Sequence, residues 1–235
     1  MSLPLPLRNR LAELIVGAFT EPAARAGLAA VAAVARERAP ARRVREWAGA
    51  AALLEAGRDG VRLRAAWRPH ARALGDRAHR ALAAVPARPA SPAGRSLRAT
   101  LGDAAALFDA GLYFETHELL EARWRRARGP GRDALQALIQ VAVGFQHLAN
   151  GNVAGCASLL RAGARLHGRR LAGLSLTAFA AGVLRCRDEV LRLGPSAARR
   201  FRWSRVPRFP GGKRPMPPPG GGQGPPAGGR ECGST

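Results

Sequence analysis

The segment FDAGLYFETHELLEARW, residues 108–124, constrains the fold more than any other stretch of the chain. Read as one helix at ~100° per residue, it puts Tyr113, His117, Leu120, Glu121 and Trp124 on one side, with Phe114 and Glu118 at the flank. Leu112 and Leu119 occupy the far side, so the helix is apolar nearly all round and belongs at the centre of a bundle. Acids on such a helix cannot all reach water. A buried carboxylate costs several kcal/mol unless it is paired, hydrogen-bonded, protonated or bound to metal.

The following segment supplies partners. Gln136, Gln140, Val143 and His147 recur at i, i+4, i+7 and i+11, a polar stripe on a helix otherwise made of Leu135, Leu138, Ile139, Val141 and Phe145. Gly144 lets a neighbouring helix approach closely. Packed antiparallel, the two stripes are predicted to form one polar pocket from Glu115, His117, Glu118, Glu121, Gln140 and His147, bordered by Tyr113 and Trp124.

Three chemistries fit that pocket. A divalent metal ion is the cofactor it suggests, with His117, Glu121 and His147 as ligands and Glu118 or Glu115 as a catalytic base for hydrolysis. However, H-E-x-x-E is not the H-E-x-x-H of zinc peptidases, and no paired E-x-x-H of di-iron bundles is present. Metal-free acid–base catalysis by a Glu–His pair is the second, although no Ser or Cys stands in a nucleophile motif. The third is a structural or binding network that fixes helix register. It ranks first, because buried polar networks outnumber cofactor sites.

Glycine, proline and cap residues divide the rest of the chain. The whole is predicted to be all-α. Residues 1–86 read as Ala/Arg-rich helices broken near residues 21–22, 39–40 and 57–60, a modest layer anchored by Trp47 and Trp67. Residues 87–99 read as a Pro/Gly/Ser linker and 100–195 as the bundle domain. Within it, helices are predicted over 100–127 (opened by a Thr100/Asp103 capping box), 132–149, 153–167 with Asn152 as cap, and 175–193. Residues 196–235 begin basic and end Pro/Gly-rich, with disorder expected from about residue 204. In the basic part, arginines interleave with Phe201, Trp203 and Phe209. Packing back onto the bundle is the preferred reading and contact with single-stranded nucleic acid the alternative.

Charge bears on partners. The chain has 38 Lys+Arg against 16 Asp+Glu, a formal +22. Lys213 is the only lysine, a one-sidedness that resembles the codon bias of a GC-rich genome, so the excess alone does not establish a functional charge. A field of this sign still attracts polyanions, which makes nucleic acid or an acidic protein the natural partner classes. Cys156, Cys186 and Cys232 are odd in number and show no zinc spacing. No apolar run approaches the ~20 residues that span a bilayer. A cytoplasmic protein is expected.

The two helical blocks carry a resemblance. The first matches F-x-x-G-x-[YFW]-[FW]-E-x-H-E-x-x-E-x-x-W at Phe108, Gly111, Tyr113, Phe114, Glu115, His117, Glu118, Glu121 and Trp124. Leu138, Ile139, Gln140, Ala142, His147, Gly151, Asn152 and Gly155 match the second. Together they resemble the prokaryotic and plastid family catalogued as domain of unknown function 309, over about residues 100–195. Ala137 and Cys156 depart from it, where the family usually has Gly and Ala. The resemblance implies a helical fold around a central helix and implies no activity.

Overall fold

The computed structural model describes residues 3–37, 47–58, 60–87, 89 and 95–212. The architecture is all-α, with two short antiparallel ribbons added to it. Two apolar cores lie on either side of a central pair of helices.

The first core belongs to the N-terminal region. Helix α1 (Leu5–Gly17) buries Leu7, Leu11, Leu14 and Ile15, which recur at helical spacing. Pro22 opens α2 (Pro22–Glu37), where proline's missing N–H costs nothing. Alanine and glycine keep α2 thin: a Cβ on Gly27 would stand 2.8 Å from the Ala50 backbone nitrogen. The glycines at 57 and 60 turn a hairpin, β1 (Leu54–Gly57) against β2 (Gly60–Leu63), with Leu54 opposite Leu63. No strand is predicted here, because four-residue strands lack the length to show alternation. Helix α3 (Ala71–Ala84) closes the layer over Leu74, Ala78 and Ala81. The layer is more than modest. Phe19, Leu28, Leu53 and Leu54 are fully buried in it, while Trp47 and Trp67 only pack against its edge.

The second core is built from α4 (Leu97–Asp109), α5 (Tyr113–Trp124), α6 (Gly129–Ala149), α7 (Val153–Leu160) and α8 (Thr177–Leu193). A small ribbon, β3 (Arg170–Leu171) with β4 (Leu174–Ser175), precedes α8. Phe108 is its hub, with ring centroids at 5.0 Å to Tyr113, 5.7 Å to Phe145 and to Phe179, and 5.1 Å to Phe209. Leu107, Leu112 and Leu119 turn the other way, into the N-terminal core. The α4–α5 pair therefore sits between both.

The single helix predicted over 100–127 is two helices. Gly111, at φ +72°, ends α4 with the Gly111 N–H donating to the Phe108 carbonyl and the Leu112 N–H to the Leu107 carbonyl. This is a Schellman closure, with buried Leu112 as its apolar contact. Nor is Thr100 the cap. Ser96 accepts from the Ala99 N–H at 3.1 Å, and Asp103 pairs with Arg95. The helix predicted over 153–167 changes after Leu160 to a 3₁₀ turn, Arg161–Leu166, which lays Gly163 against Val183.

Beyond α8 the chain packs back as a strap to Gly212, past the point near residue 204 where disorder is predicted. It includes α9 (Ala197–Arg200) and buries Phe201 and Phe209. The Pro/Gly-rich residues 213–235 and part of the predicted linker, residues 88 and 90–94, lie outside the described residues. No helix among the described residues is long and apolar enough to cross a membrane.

Candidate functional site

Helix α5 distributes its polar side chains round its circumference, and each direction meets a different neighbour. Glu115 points away from His117 by two residues' rotation, toward α3. Its carboxylate is fully buried, and both oxygens are gripped by Arg77, at 2.6 Å from Nε and 2.7 Å from Nη2. Thr116, also buried, donates its hydroxyl to the Leu112 carbonyl at 2.9 Å. Tyr113 lies in the aromatic cluster, stacked on Trp203 at 6.1 Å. Burial raises its hydroxyl pKa well above the ordinary tyrosine value. Trp124 packs on the second core with Arg132 stacked 4.0 Å over its ring, and its Nε1 is buried without an acceptor among the described residues.

His117 is set between two glutamates. Its Nδ1 lies 3.2 Å from Glu118 Oε1 and its Nε2 lies 3.6 Å from Glu121 Oε2. Glu121 is held in turn by Arg125 at 3.0 Å. One ligand atom from each of His117, Glu118 and Glu121 falls within 4.8 Å of the others. Yet the two carboxylates approach opposite nitrogens of one ring, whereas an ion takes one nitrogen from a histidine. Ligand atoms of one ion also lie within ~4 Å, given ~2 Å bonds. Metal binding here requires one glutamate to swing to the other side of the imidazole. The arrangement as it stands places the imidazole between two carboxylates, with its buried Nδ1 in no well-formed hydrogen bond among the described residues.

The partners predicted on α6 do not join that cluster. Gln140 Oε1 accepts from Arg165 Nη2. His147 Nδ1 lies 2.9 Å from the Asn152 amide nitrogen, which can only donate, while Asn152 Oδ1 caps α7 through the Gly155 N–H at 2.8 Å. The six residues predicted to share a pocket are therefore split four ways: Glu115 with Arg77, the His117 trio, Gln140 with Arg165, and His147 with Asn152. Arg77 comes from a segment whose arginines have no pattern in the sequence to single one out, whereas Arg165 stands one turn from Arg161, a spacing at which solvent is the default and the carboxylates the alternative.

The trio has a measurable electrostatic signature. The Glu118 carboxyl is held below the ordinary value of 4.5, chiefly by the His117 imidazole 3.2 Å away, against desolvation. A lowered carboxyl pKa stabilises the fold above pH ~4.5, and that contribution is lost as pH falls through the lowered value. The side chain is 40% exposed, so solvent screening keeps the contribution under about 1 kcal/mol. Urea midpoints should show Glu118→Gln slightly destabilising at pH 7 and neutral near pH 3. Equal loss at both would mean the His117 contact is not electrostatic.

The strap adds a feature that composition alone does not reveal. Phe201 and Phe209 are its buried anchors, and Asp109 fastens it by accepting from the Phe209 N–H at 3.1 Å and from Arg208 at 3.3 Å. Pro207 sits so close to Gly182 that a Cβ there would be 2.6 Å away. Trp203, between the anchors, stays 40% exposed. Arg199, Arg200 and Arg202 beside it are exposed and have no acid partner among the described residues, whereas Arg205 pairs with Glu189 at 2.9 Å.

These features define an all-helical bundle protein with a histidine–glutamate cluster on its central helix and a basic aromatic strap across one side. Residues 101–159 match the family model described as Domain of unknown function (DUF309), and the chain is similar to that family there. The match runs from α4 into α7, so it holds every predicted site residue but neither Arg77, Arg165 nor the strap. No curated protein matches the chain, and no solved structure does.

Proposed function

We propose that the protein is a binding module for single-stranded nucleic acid, with RNA the natural form, taken on the strap. The observation that carries this is Trp203, held half out of the surface between buried anchors and flanked by three arginines without acid partners. Every base offers a π-face to an aromatic side chain, and stacking is worth ~1–3 kcal/mol per base. The arginines supply phosphate contacts, and the formal charge of +22 supplies attraction at a distance. In this reading the Glu115–Arg77, Gln140–Arg165 and His147–Asn152 pairs are structural. They hold the bundle that presents the strap.

Fluorescence anisotropy with a labelled single-stranded RNA tests the reading. Trp203→Ala should weaken binding about tenfold at unchanged salt slope. Replacing Arg199, Arg200 and Arg202 with alanine should reduce the slope of log affinity against log salt by about 2, at ~0.7 per phosphate. A flat salt response in the unmutated protein, or full affinity in Trp203→Ala, removes the proposal. Tighter binding of polyglutamate than of RNA reassigns the surface to an acidic protein.

A second reading, a divalent-metal hydrolase using His117 and Glu121 with Glu118 as base, is supported by the 4.8 Å cluster alone. Equilibrium dialysis against zinc or manganese decides it. Metal affinity that His117→Ala abolishes supports it, and affinity indifferent to that change removes it.

A further inference from the structure

The geometry points to a second anion site, separate from the strap: a cleft of about 500 Å³ between the start of α1, α3 and the end of α6, shaped to bind a phosphate monoester. Three arginines from two helices line it, and each is placed by a different device.

Arg77 is oriented from behind. Glu115 takes its Nε and one Nη2 bond, which leaves the two Nη1 hydrogens on the other edge of the guanidinium, and Arg77 lines the cleft. Arg8 is held flat by Phe114, 4.2 Å below its guanidinium carbon. Its Nε is buried and has no acceptor among the described residues, which leaves the guanidinium itself as the group Arg8 brings to the cleft lining. Arg80 is exposed at the rim beside Gly111, whose missing side chain and φ of +72° keep the α4–α5 turn low beneath it. Neither Arg8 nor Arg80 forms an ion pair among the described residues, although the Arg8 charge helps hold the Glu118 carboxyl down.

The remaining wall adds donors. Gln146 Nε2 bonds the oxygen of the Asn150 amide at 3.1 Å, which leaves the Asn150 nitrogen to donate to a ligand. Asp76, also in the lining, is the one acid there. It repels an anion with nothing else to offer but accepts from hydroxyls, which selects a phosphate carried on a hydroxylated group over inorganic phosphate. A sugar phosphate and the 5′-phosphorylated end of an RNA strand share that chemistry, and the volume suits a ligand of that size.

Calorimetric titration of the full chain separates the sources. The probes are ribose 5-phosphate and a short RNA with either a 5′-phosphate or a 5′-hydroxyl. Binding of ribose 5-phosphate supports a small-molecule site. A 5′-phosphate that strengthens RNA binding, with ribose 5-phosphate inert, supports a strand-end site. In either case Arg80→Ala should weaken the phosphate-dependent binding about tenfold, the loss expected for a charge-assisted bond. Arg8→Lys, which keeps the charge but removes the planar guanidinium stacked on Phe114, should weaken it too. Arg185→Ala, exposed on α8, should leave it unchanged. The proposal is overturned if neither probe shows a phosphate-dependent gain, or if Arg185→Ala costs as much as Arg80→Ala. Trp203→Ala should not alter ribose 5-phosphate binding, so failure at the strap and failure at the cleft are read independently.

Discussion

Replacing Arg77 with methionine is expected to destabilise the protein by about 3–5 kcal/mol, a loss on the order of 10 °C in melting temperature for a chain of this size. The cause is the carboxylate that remains. Glu115 is fully buried, and Arg77, itself only 14% exposed, supplies both of the hydrogen bonds that offset its desolvation. Methionine keeps the apolar stem and its packing, so the loss isolates the charge. The double variant Arg77→Met with Glu115→Met should recover most of the stability, because a buried ion pair replaced whole by apolar groups of similar volume is often neutral or better. Urea unfolding of the four proteins in that cycle measures the coupling. A single Arg77→Met variant as stable as the original would mean that Glu115 finds another partner or protonates at little cost, and the pair would not be what ties α3 to α5.

That pair also shows where sequence reasoning reaches and where it stops. The amphipathic segments α6 and α8 are legible because their apolar periodicity and their Gly and Pro boundaries agree. The start of α7 is legible because Asn152 can do only a few things in front of a helix, and it caps. Gly144 is legible as a close approach, and Leu160 does come within 2.9 Å of where its Cβ would be. The break at Gly111 left a signal too: a glycine followed by a buried leucine is a Schellman ending, overridden by the continuity of the apolar stripe across it. The hairpin at residues 54–63 left almost none, since its strands are four residues each.

The site is a different case. A helical wheel gives the direction in which Glu115 or Gln140 points, but not which of 38 basic residues waits there. Arg77 is 38 positions away from Glu115 and Arg165 is 25 from Gln140, distances at which a chain rich in arginine offers many equal candidates. The predicted common pocket assumed that polar residues on facing helices satisfy each other. Arginines from further along the chain have longer reach and a charge, so they take those acceptors first.

The strap yields the sharpest contrast between stability and binding. Phe209 is 2% exposed, in ring contact with Phe108 at 5.1 Å and Phe179 at 5.3 Å. Phe209→Ala should therefore cost about 3 kcal/mol, near the lower end for a buried phenylalanine because the strap lies at the edge of the core and can relax. Relaxation has a price in presentation. With that anchor gone, the strap keeps Phe201, the Asp109 bonds and the Arg205–Glu189 pair but fixes Trp203 over Tyr113 less firmly, and part of the ordering entropy must be supplied when RNA binds. Phe209→Ala should thus lose at least as much RNA affinity as Trp203→Ala, although it removes no surface group. Trp203→Ala, by contrast, should stay within about 1 kcal/mol of the original stability, since the side chain is already partly in water. Hydrogen exchange at the backbone amides of residues 201–209 distinguishes the two: accelerated in Phe209→Ala, unchanged in Trp203→Ala. An unfastened strap that still binds RNA with full affinity would show that presentation by the bundle is irrelevant, and that the arginines act as a plain charged tail.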